Sequence, residues 1–443
     1  MSVRRFVIRA ARKTAVQGNR VLRKASRLAE KVEIKSTRIL DGVDYSLKIN
    51  EEVPVDKIYY NTIPYVLPLH ASMPAIGSKP TVTLLIPSLD GASFFGGTAT
   101  ALVVAAKFAI QKQRKLRIVQ TLKTGHPGKL SLFFASEGIE MPDEDIQVLS
   151  VADRAYDRYG YVSMHPDDLF IASAWWDAQI LSEMPLKNKF IYLVQDFEPI
   201  FYNNSDMYVL AEQTYKNKGF IALCNTELMH DFMKGRNYPV FDSPQSYWFE
   251  PAVSRIESGT FIKKVTGEKK KLFVYGRPNV HRNLFFNALN SLDLAIKSGG
   301  IDASEWEFYM AGQDNVPDVK LSSGAVVKNL GKMSVPDYTK FSKSVDLAIS
   351  LMMAPHPNYP TLEFASIGTS VVTTRYENKV DLSKYSENIV VSEVGIQAVS
   401  DSITKAAKRT YKQRVDALTT TNISTSWNES LDDKLKQILK SIT

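Results

Sequence analysis

From Thr81 onward, short apolar runs alternate with longer stretches of helical spacing, and the alternation stops once before it restarts. Strands are expected at Thr81–Ser88, Leu116–Gln120, Leu130–Ala135, Leu169–Ala174, Phe190–Gln195 and Phe220–Cys224, with a helix over Thr98–Gln111 that is apolar on most faces. A polar connection follows over Ser254–Lys271, with Gly259, Gly267 and the run Lys269-Lys270-Lys271. The second series has strands at Leu272–Tyr275, Trp306–Ala311, Ala325–Lys328, Asp346–Leu351, Ser370–Thr374 and Asn388–Val391. Its helices fall at His281–Lys297, Pro336–Phe341, Thr361–Ser366 and Gln397–Ala406, and Leu431–Ile442 closes the chain as a helix. Strands that alternate with helices form parallel sheets covered on both faces. The expected fold class is therefore α/β, with two Rossmann-like domains in series facing a central cleft.

The boundaries expected are 1–78 for a basic arm and an extended segment, 79–255 for the first domain, and 271–415 for the second. Residues 416–443 form a C-terminal helix expected to pack back on the first domain. A chain of 443 residues suits two cores of about 150–200 residues each. In such sheets ligands sit beyond the carboxyl ends of the strands, where helix N-termini present free amides. Candidate functional residues are accordingly sought just after strands.

Charge locates a separate feature. Residues 1–40 hold twelve Lys and Arg against two Glu, while the whole chain carries +8, so the remainder is close to neutral. The basicity belongs to an arm, which argues against a nucleic-acid-binding body. Within the arm Val21, Ala25, Leu28 and Val32 share a helical stripe, and Arg20, Arg23, Lys24, Arg27 and Lys31 cover the other faces. That pattern suits an anionic membrane surface or an assembly partner. No apolar run of about 18 residues occurs, and the N-terminus develops no signal peptide. Cys224 is the one cysteine, which excludes an intramolecular disulfide. The expected location is cytoplasmic, peripheral on the inner face of the cell membrane.

Three strand ends carry chemistry. After the first strand, Gly96-Gly97-Thr98 opens a helix, and the glycines let backbone approach a ligand. This is neither G-x-G-x-x-G nor a P-loop. After Leu272–Tyr275 comes Gly276-Arg277, with Arg282 five residues on. Two guanidiniums beside a helix start suit a diphosphate. After Asp346–Leu351 a Pro-rich loop runs into Tyr359-Pro360-Thr361-Leu362-Glu363, with Pro360 suited to a first helical turn. Amides of Tyr359, Thr361 and Leu362 are expected to face phosphate, and Glu363 to accept from ribose hydroxyls.

Residues 272–374 resemble the donor domain of retaining GT-B-fold glycosyltransferases. Arg277 and Arg282 match the family's basic pair, with Arg282 where Lys is usual. Trp306–Gly312 matches its strand-then-Gly element, and Asn329-Leu330-Gly331 the segment lining the base. Glu363 matches the second of two Glu residues eight apart, and Gly368 with Val371-Val372 the segment that follows. The first Glu is replaced by Pro355, with His356 beside it. The strings Gln195-Asp196-Phe197-Glu198-Pro199, Tyr208–Tyr215 and Pro355-His356-Pro357 further resemble the rhamnan-synthesis branch. That resemblance covers about residues 80–415. It implies a rhamnosyltransferase that uses dTDP-L-rhamnose to build a bacterial surface polysaccharide, with retention of configuration.

The acceptor, a lipid-linked or polymeric glycan, is then expected on the first domain. Trp175-Trp176-Asp177 after a strand offers aromatic faces beside a carboxylate, and His126 lies in a loop that could face the cleft. Asp196 and Glu198 are the candidate catalytic carboxylates. No metal is expected: Asp143-Glu144-Asp145 reads as a solvated acidic loop, and the six histidines show no ligand spacing. The alternative is a non-catalytic nucleotide-sugar- or glycan-binding subunit of a polysaccharide assembly complex.

Overall fold

The computed structural model of the chain describes residues 55, 59–60, 63–89, 96–154, 161–254 and 268–442. The basic arm of residues 1–40 and most of the connection between the two series lie outside these. The strands in chain order are β1 His70–Ser72, β2 Val82–Ile86, β3 Leu116–Gln120, β4 Ile146–Ser150, β5 Tyr161–Ser163, β6 Leu169–Ala172, β7 Phe190–Val194, β8 Phe220–Asn225 and β9 Ser246–Phe249. The second series is β10 Lys270–Tyr275, β11 Trp306–Ala311, β12 Val319–Lys320, β13 Val326–Asn329, β14 Leu347–Ile349, β15 Ser370–Thr374 and β16 Ile389–Ser392. The helices are α1 Gly96–Lys112, α2 Leu130–Ser136, α3 Trp175–Ser182, α4 Asp206–Thr214, α5 Glu227–Gly235, α6 Phe285–Lys297, α7 Val335–Ser342, α8 Tyr359–Ser366, α9 Ile396–Ala407, α10 Tyr411–Asp416 and α11 Trp427–Ile442.

Two seven-stranded sheets result, in the orders β4-β3-β2-β6-β7-β8-β9 and β12-β13-β11-β10-β14-β15-β16. Every pairing is parallel except β12 with β13 at an edge. In each sheet the strand order reverses beside the first long strand of the series, between β2 and β6 and between β10 and β14. Connections leave in opposite directions at such a point and open a crevice at the strand ends. Central strands β2, β3, β7 and β8 are buried along their whole length, so they read as mostly apolar runs, and the buried Arg117 of β3 donates to Thr83 of β2 at 3.0 Å.

One expected strand is a helix. Leu130–Ala135 lies in α2, where Leu130, Phe133 and Phe134 are buried. Their spacing of three and four places all three on one helical face. The third strand of the first sheet is instead β4, an edge strand none of whose residues is buried. The expected helix from His281 is broken at Leu284, which takes φ +50°, so a short turn at His281–Asn283 precedes α6.

Helix α1 is buried on nearly all faces from Ala99 to Ala109 because α11 covers its outer side. Trp427, Leu431, Leu435 and Ile438 of α11 join the core of the first sheet. Two polar contacts pin them there: Lys107 Nζ lies 2.6 Å from Asp432 Oδ1, and Trp427 Nε1 donates to Glu137 Oε2 at 2.9 Å. The chain thus crosses back, and its last helix belongs to the first sheet. The segment before β2 also lies on that sheet, with Ile63, Val66 and Leu69 in its second core cluster. No helix among the described residues is long and apolar enough to cross a membrane.

Candidate functional site

The loops that follow β2, β6, β10 and β14 converge from the two sheets on one cavity of about 810 Å³. Both topological switch points therefore open into the same space. The first sheet supplies Gly96, Gly97, Thr98, Trp176, Gln195, Asp196, Glu198 and Asn225 to its lining, and the second supplies Arg277, Arg282, Lys332, His356, Tyr359, Pro360 and Glu363. Helices α1 and α8 both begin at this wall, so two positive dipole ends meet there.

Arg277 follows β10 and is exposed. Its nearest polar contact is the Tyr275 hydroxyl, 3.4 Å from Nη1. It reaches the cavity over Gly312, where a Cβ would stand 2.9 Å from Arg277 Cγ and where φ is +132°. Only glycine combines that backbone with that close approach. Arg282 is held differently. Its guanidinium lies 4.3 Å above the Phe201 ring, and its Nε is 3.1 Å from Asp196 Oδ2, so it is paired across the cleft with an acid of the first sheet.

Asp196 is the centre of the polar wall. His356 Nε2 lies 3.6 Å from the same Oδ2, and His356 Nδ1 meets the Pro357 carbonyl at 2.8 Å. A carbonyl only accepts, so Nδ1 carries the proton there. Burial alone would raise the Asp196 carboxyl, but His356 and Arg282 outweigh it and hold the group below the usual carboxylate range. Lys379, fully buried, donates to the Met352 carbonyl at 2.8 Å, and burial lowers its ammonium to about 7 despite the Asp196 charge. Glu198 behaves in the opposite way to Asp196. It accepts from the Trp175 amide and from Tyr192 Oη at 3.2 Å, and burial pushes its carboxyl up to about 8. Two carboxyls two residues apart thus differ in charge state near neutrality, which is the usual arrangement when one serves as a base and the other as a neutral donor.

Several expected residues are placed elsewhere. Thr361 and Leu362 do not line the cavity: Asn358 caps α8, and its side chain takes the Thr361 amide at 2.9 Å while its carbonyl takes the Leu362 amide at 3.4 Å. Asn329, Leu330 and Gly331 lie one step behind the wall. The Asn329 side chain is spent on the Val316 carbonyl at 2.6 Å and on the Gly331 amide at 3.0 Å, and the adjacent Lys332 and Met333 line the cavity instead. Trp175 is wholly buried, with Nε1 donating to Tyr202 Oη at 2.9 Å. Asp177 is wholly buried, accepts from Thr121 at 2.9 Å and Ser173 at 3.2 Å, and is pushed up to about 7 by burial. Both are packing residues, and Trp176 alone of the three reaches the cavity. His126 sits on an exposed loop away from it, because Gln120 Oε1 ties the neighbouring Gly125 amide back to the sheet at 2.7 Å. Glu363 lines the cavity with Oε2 accepting from Tyr338 Oη at 2.8 Å.

Gln195, Asn225, Lys332 and His356 were not singled out from the sequence as site residues. The usable signal was position: Gln195 and Asn225 stand at the ends of β7 and β8, as Asp196 nearly does. Asp143 and Glu144 are exposed, and among the described residues no group of three or more His, Cys, Asp or Glu is arranged to hold a metal ion.

Two parallel α/β domains whose switch points share one cleft, with the last helix returned to the first domain, define the GT-B glycosyltransferase fold. Solved structures agree: HepE of Anabaena in complex with UDP and glucose matches with a TM-score of 0.54 at 9% identity, covering 82% of this chain and 99% of that one. Sucrose-phosphate synthase of Thermosynechococcus elongatus matches with 0.54 at 11% identity over the same shares. Residues 81–227 match the family model described as WsaF, N-terminal domain, and residues 270–404 match WsaF, C-terminal domain. The two together span more than half of the chain, which therefore belongs to the WsaF family. A curated relative, the O-antigen biosynthesis protein RfbC of Myxococcus xanthus, is 29% identical over 280 residues. The match covers 61% of this chain and 21% of that protein, so the chain spans about a fifth of its relative's length.

Proposed function

We propose that this protein is a glycosyltransferase that moves a sugar from a nucleotide-sugar donor onto a growing bacterial surface polysaccharide, with dTDP-L-rhamnose as donor. The observation that carries the reading is the cleft itself, where Arg277, Arg282 and the starts of α1 and α8 converge on one cavity. Diphosphate needs such a concentration of N–H donors and positive charge. In this reading Arg277 and Arg282 hold the diphosphate, Gly96, Gly97 and Thr98 approach it from the first domain, and Tyr359, Pro360 and Glu363 hold the ribose side. Asp196 takes the acceptor proton, and the cations stabilise the departing nucleotide diphosphate. No metal is required for that charge, since guanidiniums and helix termini supply it. Retention of configuration follows from the resemblance of the donor domain to retaining enzymes.

The relatives support polysaccharide work: RfbC is named for O-antigen biosynthesis, and HepE is bound to UDP and glucose. The rhamnosyl assignment rests on the Gln195–Pro199 and Pro355–Pro357 strings. Residues 1–40 would hold the enzyme on the cytoplasmic leaflet, where a lipid-linked or polymeric glycan acceptor is presented. Liposome co-sedimentation with and without residues 1–40 tests that attachment. A thermal-shift panel of nucleoside diphosphates and nucleotide sugars tests the activity's first step, because a ligand of the native state raises Tm. A panel with no stabilising nucleotide sinks the reading. The non-catalytic alternative draws on Pro355, which leaves the usual sugar-binding Glu absent; donor turnover in a hydrolysis assay removes it.

A further inference from the structure

The cleft has one wall that the diphosphate cannot satisfy. Trp176 Nε1, Gln195 Oε1 and Asn225 Oδ1 are buried polar atoms without a hydrogen-bond partner, and all three residues line the cavity from the first domain. Buried polar groups are rarely left unpaired, so each calls for a partner that the ligand brings.

The polarity of the Asn225 atom is fixed by its neighbours. Asn225 is 2% exposed. Thr100 Oγ1 donates its one hydrogen to the Gly96 carbonyl at 3.0 Å. The Tyr359 hydroxyl, in contact with the same Thr100 oxygen, must then be the donor of that pair. Its oxygen accepts from Asn225 Nδ2 at 3.3 Å, which leaves the carbonyl oxygen of Asn225 as the unpaired end. A carbonyl oxygen needs a donor, and a phosphate oxygen offers none. The indole N–H of Trp176 needs an acceptor. Hydroxyl groups do both.

Position narrows the ligand further. The Gln195 amide lies 3.4 Å from where a Cβ of Gly97 would stand, at the start of α1. Asn225 is joined through Tyr359 to the start of α8. Gln195 and Asn225 therefore sit beside the two helix starts that favour the diphosphate, on the first-domain wall that also carries Trp176 and Asp196.

We propose that Trp176, Gln195 and Asn225 form the first domain's subsite for the donor's sugar ring, reading its hydroxyls while the second domain holds the diphosphate. This rests on the reading of the cleft as a nucleotide-sugar site. It also supplies sugar contacts that Pro355 cannot make.

Calorimetry on the full chain tests it with two ligand pairs, dTDP against dTDP-L-rhamnose and UDP against UDP-glucose. The Gln195→Met and Trp176→Phe variants remove the polar atoms, the first at nearly unchanged volume and the second keeping an aromatic ring in the wall. In the preferred pair, each variant is expected to bind the nucleoside diphosphate within twofold of wild type and the nucleotide sugar at least fivefold more weakly. Nucleotide-sugar affinity equal to wild type overturns the subsite. Equal losses for both members of a pair also overturn it, because the wall then serves the phosphates or the fold. Wild-type protein that binds none of the four ligands is a separate result, and it removes the glycosyltransferase reading itself.

Discussion

Asp196 Oδ2 lies 3.1 Å from Arg282 Nε, and this pair bridges the cleft from the first domain to the second. The approach is made through Nε. Asp196 thus orients an arginine whose two Nη groups remain for a ligand, while Phe201 supports its face at 4.3 Å. The same carboxylate stands 3.6 Å from His356. An acid held charged between two bases is placed to orient the arginine proposed to hold phosphate and, in the same proposal, to receive the acceptor proton.

These two roles separate in Asp196→Asn. The amide keeps a group beside Arg282 but removes the charge that would repel diphosphate and the basicity that would take a proton. Turnover is expected to fall about 100-fold or more, with dTDP affinity equal to or higher than wild type. Steady-state kinetics with calorimetry on the same variant checks both halves. A variant that binds dTDP poorly and turns over normally contradicts the assignment.

Arg277 has no carboxylate partner among the described residues, so its loss should appear in binding and hardly in stability. Arg277→Ala is expected to weaken nucleoside diphosphate binding by about 1.5–3 kcal/mol, the range for a hydrogen bond to a charged group. Calorimetric titration with dTDP measures it, and an unchanged Kd rejects the clamp.

Gly312 is required by both conformation and space. Gly312→Val places a branched side chain at φ +132° and within 2.9 Å of the Arg277 stem. A cost of about 1–3 kcal/mol in stability is expected from the backbone alone, together with weakened nucleotide binding because Arg277 must move. Urea unfolding and a thermal-shift titration read the two effects. Normal stability in this variant refutes the strained conformation.

The Glu198 carboxyl, raised by burial to about 8, makes stability depend on pH. Its native pKa lies above the unfolded value, so the folded state keeps a proton that the unfolded chain has lost. Stability therefore falls as pH rises from about 4.5 towards about 8. Asp177, raised to about 7, acts with the same sign. Glu198→Gln keeps an oxygen for the Trp175 amide and cannot ionise. It should match wild type within about 1 kcal/mol at pH 5 and exceed it by at least about 1 kcal/mol at pH 9. Urea unfolding at the two pH values decides, and equal losses in both proteins contradict the buried neutral acid.

What was legible in the sequence was local. Strands β3, β11 and β15 were expected at their observed bounds because each is a short, largely apolar or β-branched run set apart by helical crossovers. The candidate residues beyond β2, β7 and β10 follow from the rule that parallel sheets bind ligands at strand ends. Leu130–Ala135 was misread because a six-residue run with five apolar residues suits a strand as well as a helix, and only the packing of Leu130, Phe133 and Phe134 on one face separates the two.

The amino-acid sequence by itself determined two parallel α/β units and the loops from which a site must be built, because periodicity and strand ends are properties of consecutive residues. Tertiary structure decided which side chains of those loops face the ligand. Trp175 and Trp176 differ by one helical step of about 100°, and that rotation buries one and opens the other to the cleft. Thr361 loses its amide to a cap from Asn358. Asp196 acquires its charge state from Arg282 and His356, which come from the other domain. The contacts that set orientation and charge here join residues far apart in the chain, and local pattern carries no record of them until both sheets are folded against each other.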